Sequence, residues 1–321
     1  MPPVQFFRHG NPSALLQLLR PHFPTTAAIF HRIKSPQNTP DRQTLLLASV
    51  PPSPSIADLD GPVTISFVDR SRHDESQVAV FNSLCLQAKR PEELTVDAHQ
   101  LLIAHLHQLL QSIKDVGDGY ATAEVKPLNY PFSPTLRFTA VHELLATVLV
   151  EDVGVSLVYR YEWDQLIFST SDVKDMVASR RLPDGYELGT VPPDQIDLVT
   201  GTSKVKRQAS TLLENPNAAV MFSDENHSRR VVAWAYLSID KSLTTLYVLP
   251  EHRGKGLAKI VAGSLMRDLY DGVVGPERAQ SDWCIAQVAS DNAESQAVCK
   301  SLGARLHGKT VSLGIDLNSF N

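Results

Sequence analysis

The chain has 321 residues, room for two domains at the usual ~100–200 residues each. Hydrophobic residues make up 43% and charged residues 20%, the balance of an ordinary soluble globular protein, and a net charge of −5 supplies no basic field for nucleic acid or an anionic membrane. The three cysteines, Cys85, Cys284 and Cys299, lack CxxC or paired spacing, which speaks for a reducing compartment and against a disulfide framework or a cysteine zinc site.

In chain order, a helix is predicted over 13–20, where Leu15, Leu16, Leu18 and Leu19 supply an apolar side. Strands are predicted over 27–33, 44–50, 63–68 and 76–81. Leu101, Leu102, His105, Leu106, Leu109 and Leu110 recur at helical spacing and predict a helix over 96–113. A second helix is expected over 140–150 and one or two strands over 155–169. The charged, turn-prone segment Arg180-Arg181-Leu182-Pro183-Asp184-Gly185 marks a domain boundary, giving an N-terminal α/β domain over 1–180 and a second domain over 181–321.

The second domain reads more clearly. Strands are predicted over 186–191, 218–223, 230–239, 243–249 and 283–289, with final strands over 305–317. Helices are expected over 193–200, 204–214, 256–270 and 292–302. This is an α/β (α+β) pattern centred on a sheet. No apolar run reaches the ~20 residues that span a bilayer, and the first residues make a poor signal peptide. A cytoplasmic protein with no membrane or nucleic-acid partner is expected.

The most informative stretch is Leu246-Tyr247-Val248-Leu249-Pro250-Glu251-His252-Arg253-Gly254-Lys255-Gly256-Leu257-Ala258. Pro250 ends a strand because it has no N–H to donate. Gly254 and Gly256 permit unusual torsions and leave room for a ligand. The free N–H groups of the following helix favour an anion, most simply a pyrophosphate, and Arg253 and Lys255 add positive charge. A Walker loop is absent, and the third glycine of a dinucleotide fingerprint is replaced by Lys259. A basic turn that merely caps a helix is the competing reading. No metal site is expected: His142-Glu143-Leu144-Leu145-Ala146 begins like HExxH but has alanine where the second histidine is needed.

Val248-x-Pro250 followed by Arg253-x-x-Gly256-x-Ala258 resembles the acyl-CoA signature of the GNAT superfamily of N-acetyltransferases, Q/R-x-x-G-x-G/A at a strand-to-helix turn. Downstream, Asn292-x-x-Ser295-x-x-x-Cys299-x-x-x-Gly303-Ala304 is similar to the next element of that superfamily. The resemblance covers roughly 183–317. With the preceding domain, it looks most like the glycine N-acyltransferase-like branch, in which the first half is often a degenerate copy of the acyltransferase fold. No such copy is readable in residues 1–180.

The resemblance implies a GNAT-type, mainly antiparallel mixed sheet flanked by helices, and acetyl-CoA or another acyl-CoA as co-substrate. It implies direct attack of an amine on the thioester. A backbone N–H at Tyr247, Val248 or Leu249 would stabilise the oxyanion. Arg253, Gly254, Lys255, Gly256, Leu257 and Ala258 would hold the pyrophosphate. Asn292 and Ser295 would bind the pantetheine arm or hold the loop after the strand, and Asn292 also suits a helix N-cap.

The proton-transfer groups depart from the family pattern. The strand position that often carries a glutamate holds Gln287. A glutamate early in the strand before the proline maps to Asp240, the candidate base; a hairpin-turn aspartate is the other reading. The tyrosine that often protonates the thiolate is replaced by Cys299, whose thiol could donate a proton or simply pack. The expected acceptor is a small-molecule amine or amino acid. A protein or peptide acceptor, or a non-catalytic CoA-binding role, remain alternatives.

Overall fold

The computed structural model describes residues 3–52, 61–178, 181–203, 205–223, 229–274 and 281–320. The chain forms two compact units, Met1–Trp163 with Lys309–Asn321, and Asp164–Gly308. The border between these units falls within two strands.

The first half runs β1 (Phe7–Arg8), α1 (Ser13–Leu19), α2 (Ala27–Lys34), β2 (Leu45–Ala48), β3 (Thr64–Asp69), β4 (Gln77–Asn82), α3 (Val96–Gly119), β5 (Thr135–His142), α4 (Glu143–Glu151) and β6 (Leu157–Ser169). After α5 (Thr170–Ala178) the second half runs β7 (Tyr186–Gly189), α6 (Ile196–Thr202), α7 (Ala209–Glu214), β8 (Asn217–Ser223), β9 (Arg229–Leu237), β10 (Ser242–Val248), α8 (Leu257–Tyr270), β11 (Trp283–Val288), α9 (Ala293–Ser301) and β12 (Arg305–Asp316). Apart from α5, the two halves carry the same succession: strand, two helices, three strands, helix, strand, helix, strand.

Their pairings repeat as well. In the first unit the strand order is β1-β2-β3-β4-β5-β12, and in the second it is β7-β8-β9-β10-β11-β6. In each, the recorded pairs are antiparallel except one parallel pair, β4 with β5 at Val78↔Phe138 and β10 with β11 at Ser242↔Ile285 and Leu243↔Ala286. The last strand of each half has changed places. β12 pairs β5 through Thr310↔His142 to Asp316↔Thr135, and β6 pairs β11 through Asp164↔Val288 to Ser169↔Trp283. The first half is thus a copy of the second in topology.

Several elements differ from the sequence reading. Residues 27–33 form α2, not a strand. Ile29 and Phe30, with Ile33 beside them, pack against Leu15 and Leu19 of α1, so tertiary packing overrides the short apolar run. β5 is a strand that the local sequence pattern does not signal, and 140–142 belong to it instead of the helix. Leu136 and Phe138 alternate into the core, and His142 then caps α4 by accepting the Leu144 N–H at 3.2 Å. β6 and β12 are each one long strand, and α5 is an additional helix.

In the second unit the sheet is covered on both faces. One face buries Val220, Val232, Leu243, Ala286 and Val288 with Leu257, Val261, Leu265 and Met266 of α8 and Cys299 of α9. The other buries Ala219, Met221, Trp234 and Tyr236 with Ile196 and Val199 of α6 and Leu212 of α7. Each buried aliphatic chain on α8 contributes about 1.5–3 kcal/mol, which fixes the angle at which that helix leaves β10. No described helix is long and apolar enough to cross a membrane.

Candidate active site

The site starts from a defect in β10. Thr244 pairs Tyr236 and Tyr247 pairs Trp234, so Thr245 and Leu246 together oppose Ala235. This is a β-bulge, which bends and twists the strand that carries it. Thr245 takes φ 51°, a left-handed conformation unfavourable to a β-branched residue. Pairing of β10 with β11 is recorded only before this point, at 242–243. Past the bulge the two parallel strands part, and both end at the same side of the sheet.

Beyond the bulge, β10 still pairs β9. The Leu249 N–H donates to the Val232 carbonyl at 2.9 Å. Successive residues of a strand direct their backbone groups to opposite edges, so Val248 directs its N–H and C=O toward the β11 edge. Arg253 confirms this edge by donating from Nε to the Val248 carbonyl at 3.2 Å. Of the three backbone N–H groups named from the sequence, Leu249 is already engaged and Tyr247 faces β9. Val248 is the one on the open edge.

Pro250 ends β10 and opens a 3-10 turn over Pro250–His252. Gly254 and Gly256 follow with φ 78° and 75°, and Gly256 is the N-cap of α8. Only glycine adopts that region without strain. Among the described residues, the N–H groups of Gly254, Lys255, Gly256, Leu257 and Ala258 have no protein acceptor. These donors, the positive end of the α8 dipole and the exposed Arg253 and Lys255 make an anion cradle.

The turn after β11 meets it. Asn292 caps α9 by accepting the Ser295 N–H at 3.1 Å, as the sequence suggested. Arg253 reaches Glu294 in the first turn of α9 at 3.9 Å, and its guanidinium lies 5.7 Å from the Tyr247 ring centre. One region therefore collects Tyr247, Val248, Leu249, Arg253, Gly254, Lys255, Gly256, Leu257, Ala258, Asn292 and Ser295.

The two candidate proton-transfer residues lie elsewhere. Asp240 is buried in the β9–β10 hairpin, at the opposite end of β10 from the cradle. Its Oδ1 accepts from Ser238 Oγ, from the Ser242 N–H at 3.1 Å and from Ser242 Oγ at 2.6 Å. That is turn chemistry. Cys299 is 2% exposed and packs in the α8 face core. Burial pushes its thiol up to about 11. Gln287 is half-buried on β11, opposite Gln165 of β6.

Three features escaped sequence reading. The run Val231–Leu237 is apolar throughout, which hid the alternation that puts Trp234 and Tyr236 on the face of Tyr247; Trp234 stacks on Tyr247 at 5.3 Å. Among the described residues, Trp234 Nε1 and Tyr236 Oη are buried without a hydrogen-bond partner, and burial raises the Tyr236 phenol above its ordinary range. The bulge at Thr245 has no sequence signature. His252 is buried behind the turn and not solvated on it.

The equivalent turn of the first unit lacks the cradle. Residues 83–95 between β4 and α3 contain no glycine but include Glu92 and Glu93. Thr95 Oγ1 accepts the Ala98 N–H at 3.2 Å, and Asp97 occupies the first turn of α3. A self-capped, acidic helix start repels an anion. At the end of β4, Thr64 Oγ1 accepts from Asn82 at 2.7 Å and contacts His105 Nδ1 at 2.8 Å.

Comparisons with known proteins match the two halves of the sequence separately. Residues 3–176 match the family described as the acyl-CoA N-acyltransferase verG N-terminal domain, and residues 222–313 match the FR47-like protein family. A search of curated proteins found no match. Among solved structures, a Drosophila protein aligns with TM-score 0.64 at 15% identity over 98% of this chain and 99% of its own. A tandem GNAT protein from the clavulanic acid biosynthesis pathway aligns with TM-score 0.50 at 13% identity over 98% of each chain.

Proposed function

The chain belongs to the GNAT superfamily of acyl-CoA N-acyltransferases, in the family that carries the verG-type N-terminal domain, and from that premise we propose that it transfers an acetyl or other short acyl group from acyl-CoA to the amine of a small molecule or amino acid. The observation that carries this reading is the parting of β10 from β11 beside a helix N-terminus with five unengaged N–H groups. An extended phosphorylated thioester suits that shape, with its pyrophosphate at Gly254–Ala258 and its pantetheine arm along the open edge of β10 toward Asn292 and Ser295.

Acyl-CoA supplies an activated carbonyl. The amine nitrogen forms a bond to that carbon, the C–S bond breaks, and CoA leaves as thiolate. The Val248 N–H, on the open edge, is the donor for the developing oxyanion. Tyr247 and Trp234 form an aromatic wall on the face opposite α8. Trp234 Nε1 and Tyr236 Oη are buried donors on that face and suit an uncharged acceptor atom.

The amine proton and the proton taken by the thiolate pass through water. Asp240 is committed to its hairpin and Cys299 to the core, so positioning carries most of the catalysis. A non-catalytic CoA-binding role is the second reading, favoured by the glutamine at Gln287.

Incubating the protein with acetyl-CoA and a panel of amines, while following CoA release, tests the first reading. Turnover of at least one small amine is expected. CoA binding without turnover on any amine supports the second. Gly256→Glu should abolish CoA binding, because it places a carboxylate at the cradle and a side chain at φ 75°. Unchanged affinity in a folded variant overturns the site.

A further inference from the structure

We propose that His252 is a positioning residue that pins the anion turn from behind, and that acyl-CoA affinity falls when His252 takes up a proton. The proposal rests on the acyl-CoA reading for its ligand, and on the following geometry for its mechanism. His252 closes the 3-10 turn that leads into Arg253–Ala258. It is 5% exposed. Its ring packs against Tyr186 of β7 and Phe222 of β8, with ring centres 5.6 and 5.1 Å away, and those two rings also touch each other at 4.9 Å.

Both ring nitrogens are engaged. Arg230 of β9 places a guanidinium nitrogen 3.3 Å from Nε2, and Tyr186 Oη lies 2.8 Å from Nδ1. A guanidinium can only donate. Nε2 must therefore present its lone pair, which puts the proton on Nδ1, where it donates to Tyr186 Oη. The same guanidinium nitrogen donates to Glu251 Oε1 at 3.1 Å. The neighbouring strands thereby hold the turn at one point. No other arrangement of protons satisfies this set.

A second proton on the ring would fall on Nε2. It would break the Arg230 hydrogen bond and set two cations against each other behind the turn. Among the described residues, the charged groups acting on the ring are Arg230 from β9 and Glu251 and Lys255 from its own turn; Tyr186 faces it from β7 and Phe222 from β8. Burial first, then Arg230, shift His252 below the ordinary histidine value. A histidine depressed in the folded state favours that state fully at high pH. The contribution declines as pH falls below the unfolded value, about 6.5, toward the folded one.

The test compares the full-length protein with His252→Gln, whose amide can accept from Arg230 and donate to Tyr186 but does not titrate. CoA affinity is measured calorimetrically at pH 7.5 and 5.5, with circular dichroism confirming the fold at both. Wild type should lose about two- to fourfold more affinity than the variant over this interval, below the roughly tenfold that a histidine at its ordinary value would give. Any loss common to both belongs to the phosphates of CoA. Equal losses overturn the proposal, and so does a gain in wild type, the result if His252⁺ merely attracted phosphate. Hydrogen exchange across 249–258, corrected for its intrinsic pH dependence, reads the pin without ligand. Protection should fall in acid in wild type alone, and equal behaviour overturns the pin. Absence of CoA binding at pH 7.5 in wild type overturns the acyl-CoA reading, while exchange still decides the pin.

Discussion

Cys299 shows how one residue can occupy a family position without its chemistry. Its place after Asn292 and Ser295 suggests a proton donor, but the side chain is 2% exposed among Cys284, Leu302 and Val288. Burial holds the thiol protonated, with its value up to about 11, and also withholds it from water. General acid catalysis is worth about 10²–10⁴ in rate. Cys299→Ala should therefore keep kcat within about tenfold of wild type while lowering stability by about 1 kcal/mol, the scale of small core deletions. Steady-state kinetics and urea unfolding check both halves. A hundredfold fall in kcat with unchanged stability would restore the donor role.

At the scale of elements, α8, whose N-terminus follows β10, packs closely against α5. Gly263 marks that approach. A Cβ there would stand 2.3 Å from Val177 Cγ2 and 2.9 Å from Val177 Cβ. Glycine to alanine in a helix normally gains about 1 kcal/mol, whereas forcing an extra carbon into a packed interface costs about 1–3 kcal/mol. The clash involves a β-branched chain that cannot swing aside, so the cost prevails. Gly263→Ala should lower stability by up to about 2 kcal/mol net, and Val177→Ala in the same chain should recover part of it, measured by urea denaturation. An increase in stability in the single variant would show that the helices can separate freely.

Legibility also varied by element. The strand–turn–helix at 246–258 was clear, because a proline, two glycines and a following helical periodicity each act locally. The helix at 292–302 was clear because Asn292 is both a motif residue and a cap. α2 and β5 were not, since packing against α1 decides one and a distant strand, β12, completes the other. The bulge at Thr245 was invisible, because threonine is an ordinary strand residue and only the register with β9 reveals it. His252 and Tyr186 lie 66 positions apart, a separation no local pattern reports.

At the scale of the whole molecule, the repeated topology and the changed places of β6 and β12 make neither half of the sequence a complete unit. Residues 181–321 lack Asp164–Ser169, which pair β11 along six positions. They also lack Val173 of α5, which packs in the α8 face core. A fragment of 181–321 should be unfolded or aggregated when expressed alone, with an open edge on β11. A fragment beginning at 157 should retain more structure. Circular dichroism and size-exclusion chromatography of the two compare them directly, and a well-folded, CoA-binding 181–321 fragment would overturn the interdependence.

The exchange also sets a clock on biosynthesis. β5 leaves the ribosome with residue 142, but its partner strand β12 is finished only at residue 316. At ~5–20 residues per second that interval is roughly ten to thirty-five seconds. Throughout it, an edge rich in apolar residues waits for a neighbour not yet made. The nascent chain is then most exposed to mispairing, and folding of the first unit is timed by the synthesis of the second.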